Sequence, residues 1–307
     1  MNAPRSIDEY LKQLRAALAA EDAALIQDAL YDAEEYLRAE VAAHPGKSEP
    51  DVLELIASTY GAPEEVAAAY RDTEAKVKEA LKTPTPAAVR SHAPLARFFS
   101  VYLDPRAYTS LFYMLLSLAT GILYFTIVIT GLSLSAGFAV LIIGLPFFLA
   151  FIGISRVISL GEGRLLEAVS GERMPRRPLH PGPTAGWWAR ITEMLKDVRT
   201  WTTLAYLVLM LPLGIVYFTL GVTGLAVALG FVAAPLGLLT HRLGFDYVNV
   251  GVEPWLGGGS LVGSLIVCAL GVLLLTLLLH LARALVRGHA RLAKSLLVEP
   301  GATAMTG

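Results

Sequence analysis

Asp104-Pro-Arg-Ala-Tyr-Thr-Ser-Leu-Phe-Tyr113 returns 93 residues later as Asp197-Val-Arg-Thr-Trp-Thr-Thr-Leu-Ala-Tyr206. Gly121, Tyr124, Phe125, Thr126, Thr130, Gly131 and Leu132 come back at the same offset as Gly214, Tyr217, Phe218, Thr219, Thr223, Gly224 and Leu225. Apolar composition alone does not keep polar and apolar letters in one register for so long. Arg156, Gly161, Arg164 and Leu165 then match Arg283, Gly288, Arg291 and Leu292 at an offset of 127, so the second copy carries 34 extra residues in its middle. Each copy opens on Asp-x-Arg-x-aromatic and closes on a basic amphipathic segment. That pattern implies a membrane hairpin written twice in tandem.

A hydrocarbon core of ~30 Å takes about 20 apolar residues to cross as a helix. Leu111–Leu132 and Phe138–Ile158 qualify in the first copy, Thr203–Leu225 and Leu261–Leu285 in the second. The run Ala226–Thr240 is short and glycine-rich and holds Pro235, so it is assigned to a far-side insertion, 226–259, as a re-entrant or interfacial segment. Phe245, Tyr247 and Trp255 in that insertion suit a membrane surface. Arg164, Arg173, Arg176, Arg177, Arg190, Lys196 and Arg199 lie between the copies, and Arg283, Arg287, Arg291 and Lys294 follow the last run. Excess Lys and Arg mark cytoplasmic flanks. The flanks therefore predict four crossings with both chain ends in the cytoplasm. The copies thread in the same sense, a parallel repeat and not the inverted one of many transporters.

Charge divides the chain as sharply as hydropathy does. Hydrophobic residues make up 55% of the 307, too many for a soluble globule of this length. Residues 1–90 hold 17 acidic and 10 basic side chains, and the rest 9 and 15. An acidic soluble head on a basic-edged membrane body follows. No secretory leader is apparent, which keeps that head in the cytoplasm. The single cysteine, Cys268, sits in an apolar run and permits no internal disulfide. The organisation reads as a helical head over 1–82, a Pro-rich linker over 83–97, a first repeat over 98–199, a second over 200–298 and a tail over 299–307.

In the head, Ile7, Tyr10, Leu11, Leu14 and Leu18 recur at helical spacing behind a Ser6/Glu9 capping box. Ile26, Leu30, Ala33, Leu37 and Val41 mark a second helix, Val52, Leu55, Ile56 and Tyr60 a third. Gly61 suits a left-handed helix end, and Pro63 opens a short fourth helix with Val66, Ala69 and Tyr70. Three such helices could form a helix-turn-helix, but phosphate binding needs clustered Lys and Arg, and this surface is acidic. No direct nucleic-acid binding is expected.

Tyr10-Leu11-x-x-Leu14, the Gly46-Lys-Ser48 turn and the ending Gly61-x-Pro63-x-Glu65-x-Ala67-x-x-Tyr70 resemble the HAAS signalling domain, also found in the DUF1700 family of bacterial membrane proteins. That resemblance covers about residues 5–72 and implies docking to a PadR-like transcriptional regulator. Tyr10, Leu14, Gly61, Pro63 and Tyr70 are then the candidate docking residues. The repeated motif, with Leu211-Pro-Leu-Gly214 and Leu281-Ala-Arg-Ala-Leu285, resembles the bacterial sensor domain that feeds some actinobacterial histidine kinases, over roughly 97–297. No phosphoacceptor or ATP-binding segment follows it here, so kinase activity is not implied.

No Ser/His/Asp set, carboxylate cluster, phosphate loop or metal-ligand spacing occurs, and neither catalysis nor a cofactor is expected. His280 stands near the end of a predicted span and reads as an interfacial histidine beside Arg283. Asp104/Arg106 and Asp197/Arg199 are candidate coupling residues, since each carboxylate can cap the first turn of a span. Tyr124, Thr126, Tyr217 and Thr219 are the repeated polar residues within spans and a candidate intramembrane pocket. Arg173-Met-Pro-Arg-Arg177 with Trp187-Trp188 suits an anionic lipid surface. The expectation is an all-α, multi-pass protein of the bacterial inner membrane. It would relay an envelope stimulus through its head to a cytoplasmic regulator, with membrane lipids as partners and a homodimer as the default association. The rival reading is a lipid or small-molecule transporter with an accessory head.

Overall fold

Ser6, itself extended, accepts a hydrogen bond from the Glu9 amide at 3.2 Å, and α1 (Ile7–Ala17) starts there. The reciprocal arm of the expected capping box goes elsewhere: the Glu9 carboxylate takes the Arg5 amide at 2.8 Å. In the computed structural model, residues 4–80, 94–138, 144–175, 177, 192, 195–243 and 260–298 are described. Residues 83–93 of the Pro-rich linker, Arg176, Trp187, Trp188, Arg190, the aromatic insertion from 244 to 259 and the tail lie outside them, while residues 94–97, read as the end of the linker, begin a helix. Ten α-helices and one 3-10 turn make up the regular structure of the described residues.

The head is α1 with α2 (Ala23–Ala43), α3 (Glu49–Thr59) and α4 (Pro63–Ala80). Asp22 caps α2 through the Ala24 amide at 2.9 Å. Tyr10, Leu14 and Leu18 meet Ala29, Ala33, Leu37, Val52, Leu53, Ile56, Val66 and Ala67 in one core, at about 1.5–3 kcal/mol for each large apolar side chain buried. Gly61 turns between α3 and α4 at φ +108°, a conformation that disfavours any residue with a Cβ. The fourth helix is longer than its apolar face suggests. Residues 71–80 contain good helix formers and add Asp72–Lys76 and Glu74–Lys78 pairs one turn apart.

Beyond the head come α5 (Pro94–Phe99), a 3-10 turn (Ser100–Leu103), α6 (Pro105–Phe138), α7 (Gly144–Ser170), α8 (Val198–Val232), α9 (Ala234–Arg242) and α10 (Leu261–Leu297). Four of these, α6, α7, α8 and α10, are long and apolar enough to cross a membrane, which makes this a multi-pass membrane protein. Two boundaries differ from the sequence reading. Phe138 ends α6 and does not begin the second span. Residues 226–232 continue α8, because nothing in Ala226-Val-Ala-Leu-Gly-Phe-Val232 stops a helix. The interruption comes at Ala233, next to Pro235, which cannot donate to a carbonyl one turn back. The rest of the run expected to re-enter lies in α9, whose nine residues make about 14 Å of helix, too short to cross.

The chain divides into two units, Met1–Pro84 with Gly131–Tyr206 and Arg291–Gly307, and Thr85–Thr130 with Leu207–Ala290. In the second unit, α6 and α8 cross where neither has a side chain. A Cβ on Gly121 would lie 2.6 Å from the Met210 carbonyl, and one on Gly214 would strike the carbonyl of Ser117. Gly121 and Gly214 are repeat equivalents, as are Ser117 and Met210. The crossing is thus reciprocal. Small residues at such points let helix backbones approach closely in a membrane. A further equivalence recurs once in each unit: Gly131 seats Phe151 in the first, and Gly224 seats Leu278 in the second.

Candidate functional site

The two Asp-x-Arg motifs do the same local work. Asp104 Oδ1 accepts the Arg106 amide at 2.9 Å, and Asp197 Oδ1 accepts the Arg199 amide at 3.0 Å, so each caps the helix it precedes. Their second oxygens do not turn to the arginine of the same motif. Asp104 Oδ2 pairs with Arg283 at 2.9 Å, and Asp197 Oδ2 faces Arg156 at 3.5 Å. Arg156 and Arg283 are themselves equivalent at the offset of 127. Each motif therefore holds the basic end of the other copy. Arg106 is half-buried, and Arg199 lines a cleft with Arg156, Thr200 and Gln27.

Of the four intramembrane polar candidates, Tyr124 and Tyr217 are buried, while Thr126 and Thr219 face outward. Thr126 returns its hydroxyl to the Ile122 carbonyl of its own helix at 2.7 Å. Tyr217 instead meets His289, with 3.3 Å between its hydroxyl and Nδ1, and the Tyr113 ring closes on the same imidazole at 5.7 Å. His289 was not singled out in the sequence. Its equivalent, Glu162, is just as deeply buried. His280, by contrast, donates Nε2–H to the Phe98 carbonyl at 3.0 Å and stacks on the Phe98 ring, which fixes α5 along α10.

The docking candidates of the head are structural. Tyr10 and Leu14 are fully buried, Pro63 is buried, and the Tyr10 hydroxyl donates to the Gly61 carbonyl at 2.8 Å. Tyr70 donates to Asp32 at 3.0 Å. Burial first, and neighbouring negative charge second, push both phenols well above their ordinary range, so they remain donors.

A charged cluster lies within the first unit. Gly171, at φ 76°, ends α7 and turns the chain back so that Met174 packs under Gly163. That turn delivers Arg173 to the head. Its guanidinium is held between Asp28, at 2.9 Å, and Glu74. The three side chains are 10%, 7% and 8% exposed. Arg177 pairs with Asp32 at 2.8 Å, its amide donates to Asp28 at 3.0 Å, and its carbonyl accepts from Gln27 at 3.0 Å. Lys294, near the end of α10, reaches Asp22 at 2.5 Å. Arg173 and Arg177 were read from sequence as lipid-facing; here they bind carboxylates of the head. The acidic head and basic flanks were both legible, but nothing local in the sequence paired them.

Among the described residues no three His, Cys, Asp or Glu side chains gather where a metal could be held. The family model described as "Putative sensor" matches residues 113–297. No curated protein and no solved structure matches the chain.

Proposed function

The chain belongs to the "Putative sensor" family, and from that premise we propose that it is a membrane-embedded sensor that relays a state of its spans to a cytoplasmic regulator. The observation that carries this reading is the seat of the head: Arg173 buried between Asp28 and Glu74, with Arg177 on Asp32 and Lys294 on Asp22. These basic residues directly follow α7 and end α10. A shift in either helix end therefore acts on the head through these ion pairs, buried after α7 and partly exposed at the end of α10. A stimulus moves such an equilibrium only as far as its affinity differs between the seated and released states.

In this proposal the head is HAAS-like, both chain ends lie on the cytoplasmic side of a bacterial inner membrane, and the tandem hairpins thread the bilayer in parallel. The partner is a PadR-like regulator captured by the released head, and no bond is made or broken. The test is capture of cytoplasmic proteins by the full-length protein, by an Arg173→Glu variant, and by residues 4–80. A DNA-binding regulator recovered more strongly with the variant and the free head supports the relay. Equal recovery from all three, or none, overturns it.

A further inference from the structure

The chain that follows α7 lies on the head as a linear strap. Residues 171–175 form no helix, and Met174 and Pro175 are buried. Asp28 and Asp32 stand one turn apart on α2, and Tyr70 and Glu74 one turn apart on α4. Two strap arginines, also four residues apart, meet that spacing. Arg173 enters between Asp28 and Glu74, and Arg177 meets Asp32 with its guanidinium 5.8 Å from the centre of the Tyr31 ring. The acids of α2 and α4 thus form a groove that reads two arginines at once.

The fit is incomplete. The Arg173 side chain is 10% exposed, yet its Nε has no hydrogen-bond partner. Asp32 Oδ1 lies 2.8 Å from Arg177 Nε but is not aligned for a hydrogen bond. Beside them a cavity of about 340 Å³ is left, lined by Leu25, Thr73, Val77 and Arg164. Buried donors and acceptors without partners are costly, so the strap is an imperfect occupant of its own groove. Its advantage is the tether, which holds a linked segment at an effective concentration in the millimolar range. When the seat opens, Asp28 and Glu74 lose the guanidinium they share, and the groove favours whichever one arrives next.

We propose that the groove between α2 and α4 is the docking site for a partner protein segment that presents two arginines four positions apart, and that residues 171–177 block it in the seated state. Guanidinium is preferred to ammonium because its planar fork serves two carboxylates at once. The inference rests on the sensor reading above and names the feature that its partner must carry. The head captures that partner only after its own strap has left.

The test uses the full-length protein in detergent and a labelled peptide of the strap sequence, residues 171–178, followed by fluorescence anisotropy. The peptide should bind the Arg173→Ala, Arg177→Ala double variant about tenfold more tightly than the wild type, whose tethered strap competes. Within that variant, adding Asp28→Asn and Glu74→Gln abolishes binding. Adding Glu54→Gln and Glu64→Gln, at exposed acids elsewhere on the head, leaves it unchanged. Lysine at both arginine positions of the peptide weakens binding severalfold. Gly171→Val strains the turn at φ 76° that delivers the strap, and serves if the double variant does not fold. Equal affinity for wild type and double variant, equal loss from the two acid pairs, or equal binding of a scrambled peptide overturns the proposal. So does a wild-type homodimer that the peptide dissociates, which makes the strap of a second copy the occupant. No regulator is needed here: capture of one by Arg173→Glu with no peptide bound removes the groove and leaves the sensor reading standing.

Discussion

Arg173 and Arg283 each bind carboxylates brought from far away in sequence, yet they do so in different settings. Arg173 is sealed between two acids of the head, all three side chains nearly nine-tenths buried or more. Arg283 meets one acid at the end of a span, with 30% of its side chain exposed and 18% of that of Asp104. Water screens the second pair and barely reaches the first. A buried charge that loses its partner is stranded, whereas a screened one is simply rehydrated. The first contact therefore behaves as an all-or-none latch, the second as a graded brace.

Arg173→Ala is the most direct way to break that contrast. It takes from Asp28 and Glu74 the guanidinium they share, leaving the Arg177 amide on Asp28 and Lys78 on Glu74, and should cost about 3–5 kcal/mol of head seating. Hydrogen exchange on the full-length protein is the measurement: α2 and α4 should lose protection along the Arg173-facing side while the head core keeps it. Unchanged protection there would remove the latch. A substitution at the helix crossing comes next. Gly214→Leu drives a side chain into the Ser117–Leu118 backbone of α6, for about 1–3 kcal/mol or more of overpacking. It should lower the melting temperature in detergent more than Gly230→Leu on the same helix, where a Cβ meets nothing within 4 Å.

Arg283→Gln sharpens the other side of the comparison. Its pair is partly exposed, so about 0.2–1 kcal/mol is expected, read as a small shift in melting temperature. A loss as large as that of Arg173→Ala would mean that exposure does not separate the two contacts.

How much of this was legible follows from which interactions are local. The four spans were, because an apolar run of about 20 residues is a property of its own sequence. Their ends were less so, since Ala226–Val232 is equally compatible with a helix and an interfacial strip until Pro235 is placed beside it. Asp104 and Asp197 were readable as caps for the same local reason. Their arginine partners were not. The motif alone names no partner for the second carboxylate oxygen, since residues two apart do not face each other on a helix, while the match of Arg156 to Arg283 at a fixed offset already marked the residues that serve. The head cluster had no such signal. Glu74 and Arg173 stand 99 residues apart, and only the turn at Gly171 brings them together.

The smallest effect concerns the phenols that fasten the head from within. Tyr10 and Tyr70 are raised by burial above the ordinary phenol value of about 10. In the unfolded chain both ionise near pH 10, and in the folded head they do so only at higher pH. Their contribution is therefore fully present below pH 10 and declines as the pH climbs from there toward the folded values. Replacing both by Phe removes two hydrogen bonds, about 1 kcal/mol each at neutral pH, and removes this alkaline sensitivity. Urea denaturation of residues 4–80 between pH 8 and 11 measures it. The midpoint of the native head should fall more steeply above pH 10 than that of the double variant. Parallel curves would mean that the Tyr10–Gly61 and Tyr70–Asp32 contacts are open to water, unlike the buried charges that hold Arg173 on α2 and α4.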